Sequence, residues 1–468
     1  MPETLIDKIW STHRVGRRID GKDLIYIDRH LLHELHAPEA FRKMTAAGRK
    51  VRRPELTFGD LDHTVSSAVG RDDQSNPDGV DFIRAMRAGT SRFGIRLFDL
   101  DDPFQGISHV VGPEIGLILP GMTYACPDSH ASTVGGLGAL AFACGTSELE
   151  HVLSTQTIAV TKPRSLRVLL GGRLSRLVGG KDVALRVLAE IGVAGAQGHI
   201  IEFAGPAIDD LEIEGRLTLC NLSIEMGARS GLIAADEKTF SWLEGRPYAP
   251  SGRDLELALE AWKSMRSDAD ARFDREVTID CDGLEPYVTW GTDPSQALPV
   301  TGTVPDPDTL APERRDRTER ALEYMDLAVG TPLVGLPIQR VFIGSCTNAR
   351  LSDLKVAAEV IAGRRIAAGV IGLVVPGSSL VKRQAEALGL DVVFTDAGFV
   401  WGESGCSMCA AGNGDHGEPG ERCISTTNRN FENRQGAGVR THLASPATAA
   451  AAAVAGEIVD VRDFLDRG

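Results

Sequence analysis

Apolar positions along this chain switch repeatedly between a period near two and a period near 3.6. Leu24-Ile-Tyr-Ile-Asp28 predicts a short strand, and the segment from Pro38 to Gly48 predicts a helix that stops at a glycine. Val80, Ile83 and Met86 recur at helical spacing between Asp78 and Ala88, ahead of the strand-like Ile95-Arg-Leu-Phe98. Gly116-Leu-Ile-Leu-Pro120 predicts another strand, followed by the polar turn Cys126-Pro-Asp-Ser-His130 and a small-residue helix from about Gly138 to Cys144. Strands and helices alternating at this interval predict a layered α/β domain with parallel strands over residues 1–165.

The same alternation restarts at Leu166–Leu170. It continues through a helix at Ala184–Ile191, a strand at His199–Phe203, a helix near Thr218–Met226 and a charged amphipathic stretch at Arg253–Ala271, with Leu255, Leu259 and Trp262 on one side. A second α/β domain is expected over 166–290. The five prolines between Asp293 and Glu313 predict a long connection. A third α/β domain, 291–468, opens with the strand Arg340-Val-Phe-Ile-Gly344. A helix at Leu354–Ile361 and strands at Ile371–Val375 and Val392–Phe394 follow. No internal sequence repeat is strong enough to use.

Bulk properties narrow the class. A chain of 468 residues exceeds what one core usually supports, so several domains are expected. A formal net charge of -14 argues against nucleic acid as the main partner. The first eight residues lack a secretory pattern, no run of eighteen apolar residues is present, and eight cysteines in this length are no disulfide framework. A reducing cytoplasm and no membrane association are expected.

Chemistry concentrates in three places. Cys346 follows a predicted strand directly, where open α/β sheets put their ligands. Cys406 and Cys409 form a C-x2-C pair among glycines in Gly402-Glu-Ser-Gly-Cys-Ser-Met-Cys-Ala-Ala-Gly412. Such a pair suits an iron–sulfur cluster, zinc or a redox disulfide. Three thiolates are one fewer than a cubane cluster needs, which would leave an iron open to substrate. Cys144 and Cys220 read as small core residues, Cys281 and Cys423 have no recognisable partner, and Cys126 lies beside the polar turn with no assigned role.

Asp62-His63 and Asp128-Ser129-His130 each put a carboxylate beside an imidazole, which favours the charged ring and fixes its tautomer. Glu148, Glu150 and His151 follow Gly145-Thr-Ser147 at a predicted helix start, where an acid can serve as a cap. Glu225 is a polar insertion in an apolar stretch. Asn428, Arg429 and Arg434 lie in Ser425-Thr-Thr-Asn-Arg-Asn-Phe-Glu-Asn-Arg434. Arginine forks clamp carboxylates in two-point fashion, so a diacid fits this pair, although surface ion pairing is the commoner use of such arginines.

Together these segments resemble the aconitase superfamily and, within it, the isopropylmalate dehydratase large-subunit branch. The resemblance is carried by Ile343-Gly-Ser-Cys-Thr-Asn348, Gly405-Cys-Ser-Met-Cys409, Ser425-Thr-Thr-Asn-Arg-Asn-Phe431, Asp62-His63, Pro127-Asp-Ser-His130, Gly145-Thr-Ser-Glu-Leu-Glu-His151 and Thr218-Leu-Cys-Asn-Leu-Ser-Ile-Glu225. Tyr26-Ile-Asp-Arg-His30 and Arg440-Thr-His-Leu-Ala-Ser-Pro446 are similar to the isopropylmalate branch in particular.

The resemblance implies three α/β/α domains around a central [4Fe–4S] cluster held by Cys346, Cys406 and Cys409. It implies Asp62 and His63 as the acid pair that protonates a departing hydroxyl, with His130, Glu148 and Glu225 ordering water or hydroxyl. Asn428, Arg429 and Arg434 would bind the carboxylates of a small dicarboxylic acid. The implied reaction is a hydro-lyase isomerisation of 2- and 3-isopropylmalate through 2-isopropylmaleate, in leucine biosynthesis. Single-chain relatives continue into a mobile fourth domain, which is not expected in this chain. A separate small subunit is therefore expected to supply the catalytic base and part of the pocket, in a heterodimer or heterotetramer.

Cys126-Pro127, Thr64-Val-Ser-Ser67 and Ala410-Ala-Gly-Asn-Gly-Asp-His-Gly417 depart from the leucine-pathway pattern. They keep open a hydratase for citraconate/methylmalate or homoaconitate. A cluster-free RNA-binding regulator is opposed by the acidity and by the intact Asp62, His63, Arg429 and Arg434. A structural zinc would explain Cys406 and Cys409 but not Cys346.

Overall fold

The protein is described from a computed structural model covering residues 2–466. It forms two compact units: one of Met1–Val65, Asn76–Arg173 and Ala194–Cys281, the other of Ser66–Ser75, Leu174–Val193 and Asp282–Gly468.

The first unit contains a five-stranded sheet ordered Arg96–Phe98, Thr57–Asp60, Arg29–His33, Thr123–Cys126, Leu140–Ala143, with every neighbouring pair parallel. The chain runs outward from Arg29–His33 in one direction, then returns to build Thr123–Cys126 on its other side. That reversal is a topological switch point, and the carboxyl ends of the two central strands open a crevice there. Parallel strands are covered on both faces, so their residues read as apolar runs. Leu5, Ile9 and Trp10 of the first helix pack with Ile25, Phe41, Met44, Leu140 and Leu153 in one core. A second parallel sheet in this unit is ordered Ser230–Leu232, His199–Ala204, Arg164–Gly171, Arg275–Asp280.

The second unit repeats the first sheet's topology. Its five parallel strands are ordered Val400–Trp401, Ile371–Val374, Arg340–Ile343, Arg422–Ser425, Arg440–Leu443. The switch point lies between Arg340–Ile343 and Arg422–Ser425. The proline-rich connection is partly ordered: Ala297–Pro299 pairs with Tyr287–Thr289, and Pro307–Thr309 forms one 3-10 turn.

Three sequence expectations are corrected. Gly116–Pro120 is no strand: the Leu117 N–H returns to Gly112 O at 3.0 Å, closing the helix Ser108–Glu114, and the strand comes later at Thr123–Cys126. The small residues near Gly138–Cys144 form a strand, Leu140–Ala143, because pairing with Thr123–Cys126 outweighs their helix propensity. Val392–Phe394 belongs to a helix, Leu390–Ala397, whose Phe394 and Ala397 are buried three residues apart on one face. A short apolar run does not separate these two outcomes by periodicity.

Gly135 and Gly136 sit in the turn Ser129–Leu137, where another backbone passes within van der Waals range. A Cβ at Gly135 would lie 1.7 Å from Gly231 O, and one at Gly136 would lie 2.6 Å from Leu217 N. Neither obstacle is a flexible side chain. Gly135→Ala is expected to destabilise the chain by about 3 kcal/mol, read as a lower unfolding midpoint, whereas an unchanged midpoint would contradict this packing.

Candidate active site and cluster loops

The carboxyl ends of the first unit's central strands deliver the acid–base residues. His33 ends Arg29–His33 and Glu34 follows it, Asp60 ends Thr57–Asp60 with Asp62 and His63 just beyond, and Asp128 and His130 follow Thr123–Cys126. Glu34 turns the loop: its carboxylate accepts the N–H groups of His63 at 2.8 Å, Thr64 at 2.6 Å and Asp62 at 3.3 Å, and the Thr64 hydroxyl at 3.0 Å.

His63 is held from both ends. Its Nδ1 bonds Asp62 and its Nε2 lies 3.2 Å from Asp128 Oδ2. Burial opposes the imidazolium, but the charges of Asp62 and Asp128 override it and raise the His63 pKa well above 6.5. Asp62 is likewise penalised by burial, yet the His63 charge holds it below its ordinary range. Asp128 is opposed by burial and held well down by His109, then by His130 and His63. Its Oδ1 lies 3.1 Å from His109 Nε2 and accepts the His130 N–H at 2.6 Å, while His130 Nε2 lies 3.0 Å from Glu225. The neighbouring His33 ring stacks on His63 at 4.3 Å, and burial followed by the His63 charge pushes it down to about 3. Asp60 accepts the Ser108 hydroxyl at 2.6 Å, and burial followed by the Asp62 charge raises it well above its usual range. Burial and the Asp62 charge thus favour the protonated form of Asp60, while the neighbouring histidines favour the ionised forms of Asp62 and Asp128.

Ligand atoms of His33, Glu34, Asp62 and His63 lie within 4.8 Å of one another, close enough to hold one cation. The Glu34 carboxylate is already engaged by backbone N–H groups and His63 Nδ1 by Asp62, so the group reads as a proton network. A cubane cluster takes thiolates instead.

The structure thus joins Asp62, His63, His130 and Glu225 through Asp128. Glu148 stands apart from this network. It is exposed at the start of the helix Thr146–Thr155, where its carboxylate accepts the Gly145 N–H at 3.0 Å in a capping box.

In the second unit Cys346 follows the equivalent central strand, whereas Cys406 and Cys409 follow the edge strand. Cys346 falls between the strand Arg340–Ile343 and the helix Leu351–Ile361. Asp353 fixes that loop by accepting the Arg350 N–H at 3.0 Å and the Asn348 amide at 2.9 Å. Cys406 caps and Cys409 ends the 3-10 turn Ser407–Cys409, after the strand Val400–Trp401. Cys346, Cys406 and Cys409 are buried, at 6, 5 and 7 % exposure. The Ser345 hydroxyl is 3.2 Å from Cys409 Sγ and 3.9 Å from Cys346 Sγ, and the Asn428 amide donates to Cys346 Sγ at 3.4 Å. Ser345 and Ser407 adopt φ of 79° and 49°, a cost of about 1–3 kcal/mol each, and both adjoin cysteines. Asp415 accepts the hydroxyls of Ser407 at 2.7 Å and Ser67 at 2.6 Å, anchoring the C-x2-C turn. Buried thiols met by hydroxyl and amide donors fit a cluster whose sulfur charge needs offsetting.

Asn428 is fully buried and Arg429 half-buried on the loop after Arg422–Ser425, while Arg434 lies 5.3 Å over the Phe431 ring. Cys126, Cys144, Cys220, Cys281 and Cys423 are buried, and no disulfide joins any of the eight cysteines. Sequence reasoning missed Glu34, His33, Asp60 and His109, and the buried Lys181. Asp128 was read only as the partner of His130. Their only sequence signal is position just past an apolar strand or within a helix.

Titration of the histidines should separate His63 from His33. In nuclear magnetic resonance, His63 is expected to stay protonated above pH 7 and His33 neutral at pH 5. Asp128→Asn should bring the His63 pKa back towards 6.5. Because that pKa is raised on folding, its stabilising contribution is full below about pH 6.5 and is lost as pH climbs through the folded value. A His63 that titrates near 6.5 in the unaltered chain would contradict the network.

The aconitase family profile, described as aconitate hydratase, matches residues 7–456. The chain is 54% identical over 460 residues to "3-isopropylmalate dehydratase large subunit 1" of Bradyrhizobium diazoefficiens, a match covering 98% of this chain and 96% of that protein. A crystal structure of Thermococcus kodakaraensis aconitase X in its holo-form is also similar, with 12% identity, a TM-score of 0.45, and coverage of 91% of this chain and 89% of that one. With a family match running almost from end to end, this chain belongs to the aconitase family.

Proposed function

We propose that this chain is the large subunit of a hydro-lyase that isomerises 2- and 3-isopropylmalate through 2-isopropylmaleate, a step of leucine biosynthesis. The observation that carries the substrate is the 54% identity to a protein of that name over nearly the whole chain. The relative's description as a large subunit supports a separate small subunit that contributes the base and part of the pocket, in a heterodimer or heterotetramer. Three parallel sheets sharing one order of strand addition support three α/β domains, at 1–165, 166–290 and 291–468. Among the described residues no helix is long and apolar enough to cross a membrane, and eight cysteines without a disulfide suit a reducing cytoplasm.

Cys346, Cys406 and Cys409 are the residues that would hold a [4Fe–4S] cluster. Such a cluster, when bound, supplies a Lewis acid for the substrate hydroxyl and carboxylate. The chain's own residues do the remaining work. His63 carries a proton on Nε2, with Asp62 and Asp128 keeping the ring charged and oriented until a departing hydroxyl takes it. His130, bonded to Glu225, orders the hydroxyl or water, and Glu148 is assigned the same task. Arg429 and Arg434 bind the carboxylates, with Asn428 fixing the loop on the Cys346 sulfur.

Anaerobic reconstitution with iron and sulfide, with and without the small subunit, tests this reading by hydration of 2-isopropylmaleate. Activity is expected only with both chains, and His63→Gln should lower kcat about 100-fold or more at unchanged cluster content. Higher kcat/KM on citraconate or homoaconitate would favour the other diacid hydratases. Full turnover by this chain alone would contradict the two-subunit reading.

A further inference from the structure

Lys181 is 1 % exposed, at the second position of the helix Gly180–Ile191. Lysine is almost never fully buried without a paired anion. Among the described residues the ammonium donates to carbonyl oxygens, Thr426 O at 3.1 Å and Thr427 O. The adjacent Asp182 carboxylate is engaged elsewhere, by the N–H groups of Gly179 and Tyr287, both at 2.9 Å. A cation in the first turn of a helix is also opposed by the helix dipole. Two unfavourable placements of one buried charge call for compensating negative charge, and Cys409, Cys346, Asp182 and Asp353 all act on it in that sense.

The surroundings indicate where that negative charge belongs. Thr426 joins the two loops of the cysteine site: its hydroxyl accepts the Gly344 N–H at 2.9 Å and lies 3.0 Å from Gly344 O, two residues before Cys346. Thr427 precedes Asn428, which bonds the Cys346 sulfur. Burial draws the Lys181 pKa down to about 7, and Cys409 and Cys346 are the first groups that oppose this.

Resting on the cluster reading above, we infer that Lys181 is a positioning residue of the cluster pocket: it pins the Thr426–Thr427 carbonyls behind Asn428, and its ammonium charge offsets the negative charge of a cluster held by Cys346, Cys406 and Cys409. The residue touches neither substrate nor iron. Its influence passes through the loop and through the field at the sulfurs.

The test uses the full chain reconstituted with iron and sulfide, comparing wild type, Lys181→Met and Lys181→Arg. The readouts are iron and sulfide content, the midpoint potential for one-electron reduction by dithionite, and the melting temperature. Removing a nearby cation makes an added electron less welcome, so Lys181→Met should shift the midpoint to a more negative potential. It should also weaken iron retention about 10-fold or more, while Lys181→Arg keeps the wild-type potential. A loaded Lys181→Met protein with unchanged potential and retention overturns the inference alone. So does an equal shift in both variants, which would assign the effect to packing. If Lys181→Met fails to fold, the Lys181→Arg protein decides: wild-type potential supports the inference and a shifted one overturns it. A wild-type chain that takes up neither iron nor sulfide overturns the cluster reading, and this inference with it.

Discussion

A carboxylate can be ionised inside a protein only when donors or positive charge surround it, and Asp128 meets that condition with three histidines. His63 and His109 lie on its two oxygens and the His130 N–H completes the set. Together with Asp62 that buried charge raises the His63 pKa; the His63 charge and burial then lower that of the stacked His33, while burial and Asp62 raise that of Asp60. Neighbouring groups of like type are thereby driven to opposite protonation states, which is what acid catalysis near neutral pH requires.

The same constraint is met differently around the cysteines. There the buried atoms are sulfurs, and the donors offered to them are the Ser345 hydroxyl and the Asn428 amide, with Lys181 behind the loop. The acid network, Cys346 and Asn428 sit at the carboxyl ends of central parallel strands, beside a reversal of strand order, while Cys406 and Cys409 follow an edge strand. That topology leaves loop ends free of sheet pairing, so polar groups there can converge without breaking the ladder. The strained backbone at Ser345 and Ser407 is confined to the same loops.

How much of this was legible in the sequence depended on distance along the chain. Asp62-His63, Cys406-Ser-Met-Cys409 and the Asn428 loop are local, so their chemistry can be read from adjacent residues. His109, Glu34 and Lys181 reach their partners only through the fold: Lys181 bonds residues 245 and 246 positions away. Glu148 shows the opposite case: its carboxylate caps a helix, and the sequence alone does not separate that use from the catalytic one proposed for it. The errors at Gly138–Cys144 and Val392–Phe394 arose where short apolar runs carry no period and the sheet decided the outcome. The repeated strand order of the sheets left no trace in the sequence because parallel packing constrains hydrophobicity and length, not residue identity.

The proposed dehydration requires one iron of a cluster bound by Cys346, Cys406 and Cys409 to be accessible to a diacid. The most direct measurement is a Mössbauer spectrum of the chain reconstituted with iron-57 and its small subunit, before and after adding 3-isopropylmalate. The account predicts that one iron subsite alone changes its signal on substrate addition while the thiolate-bound irons keep theirs. Spectra that are identical with and without substrate in an active complex, or a preparation active with zinc and no iron, would contradict it.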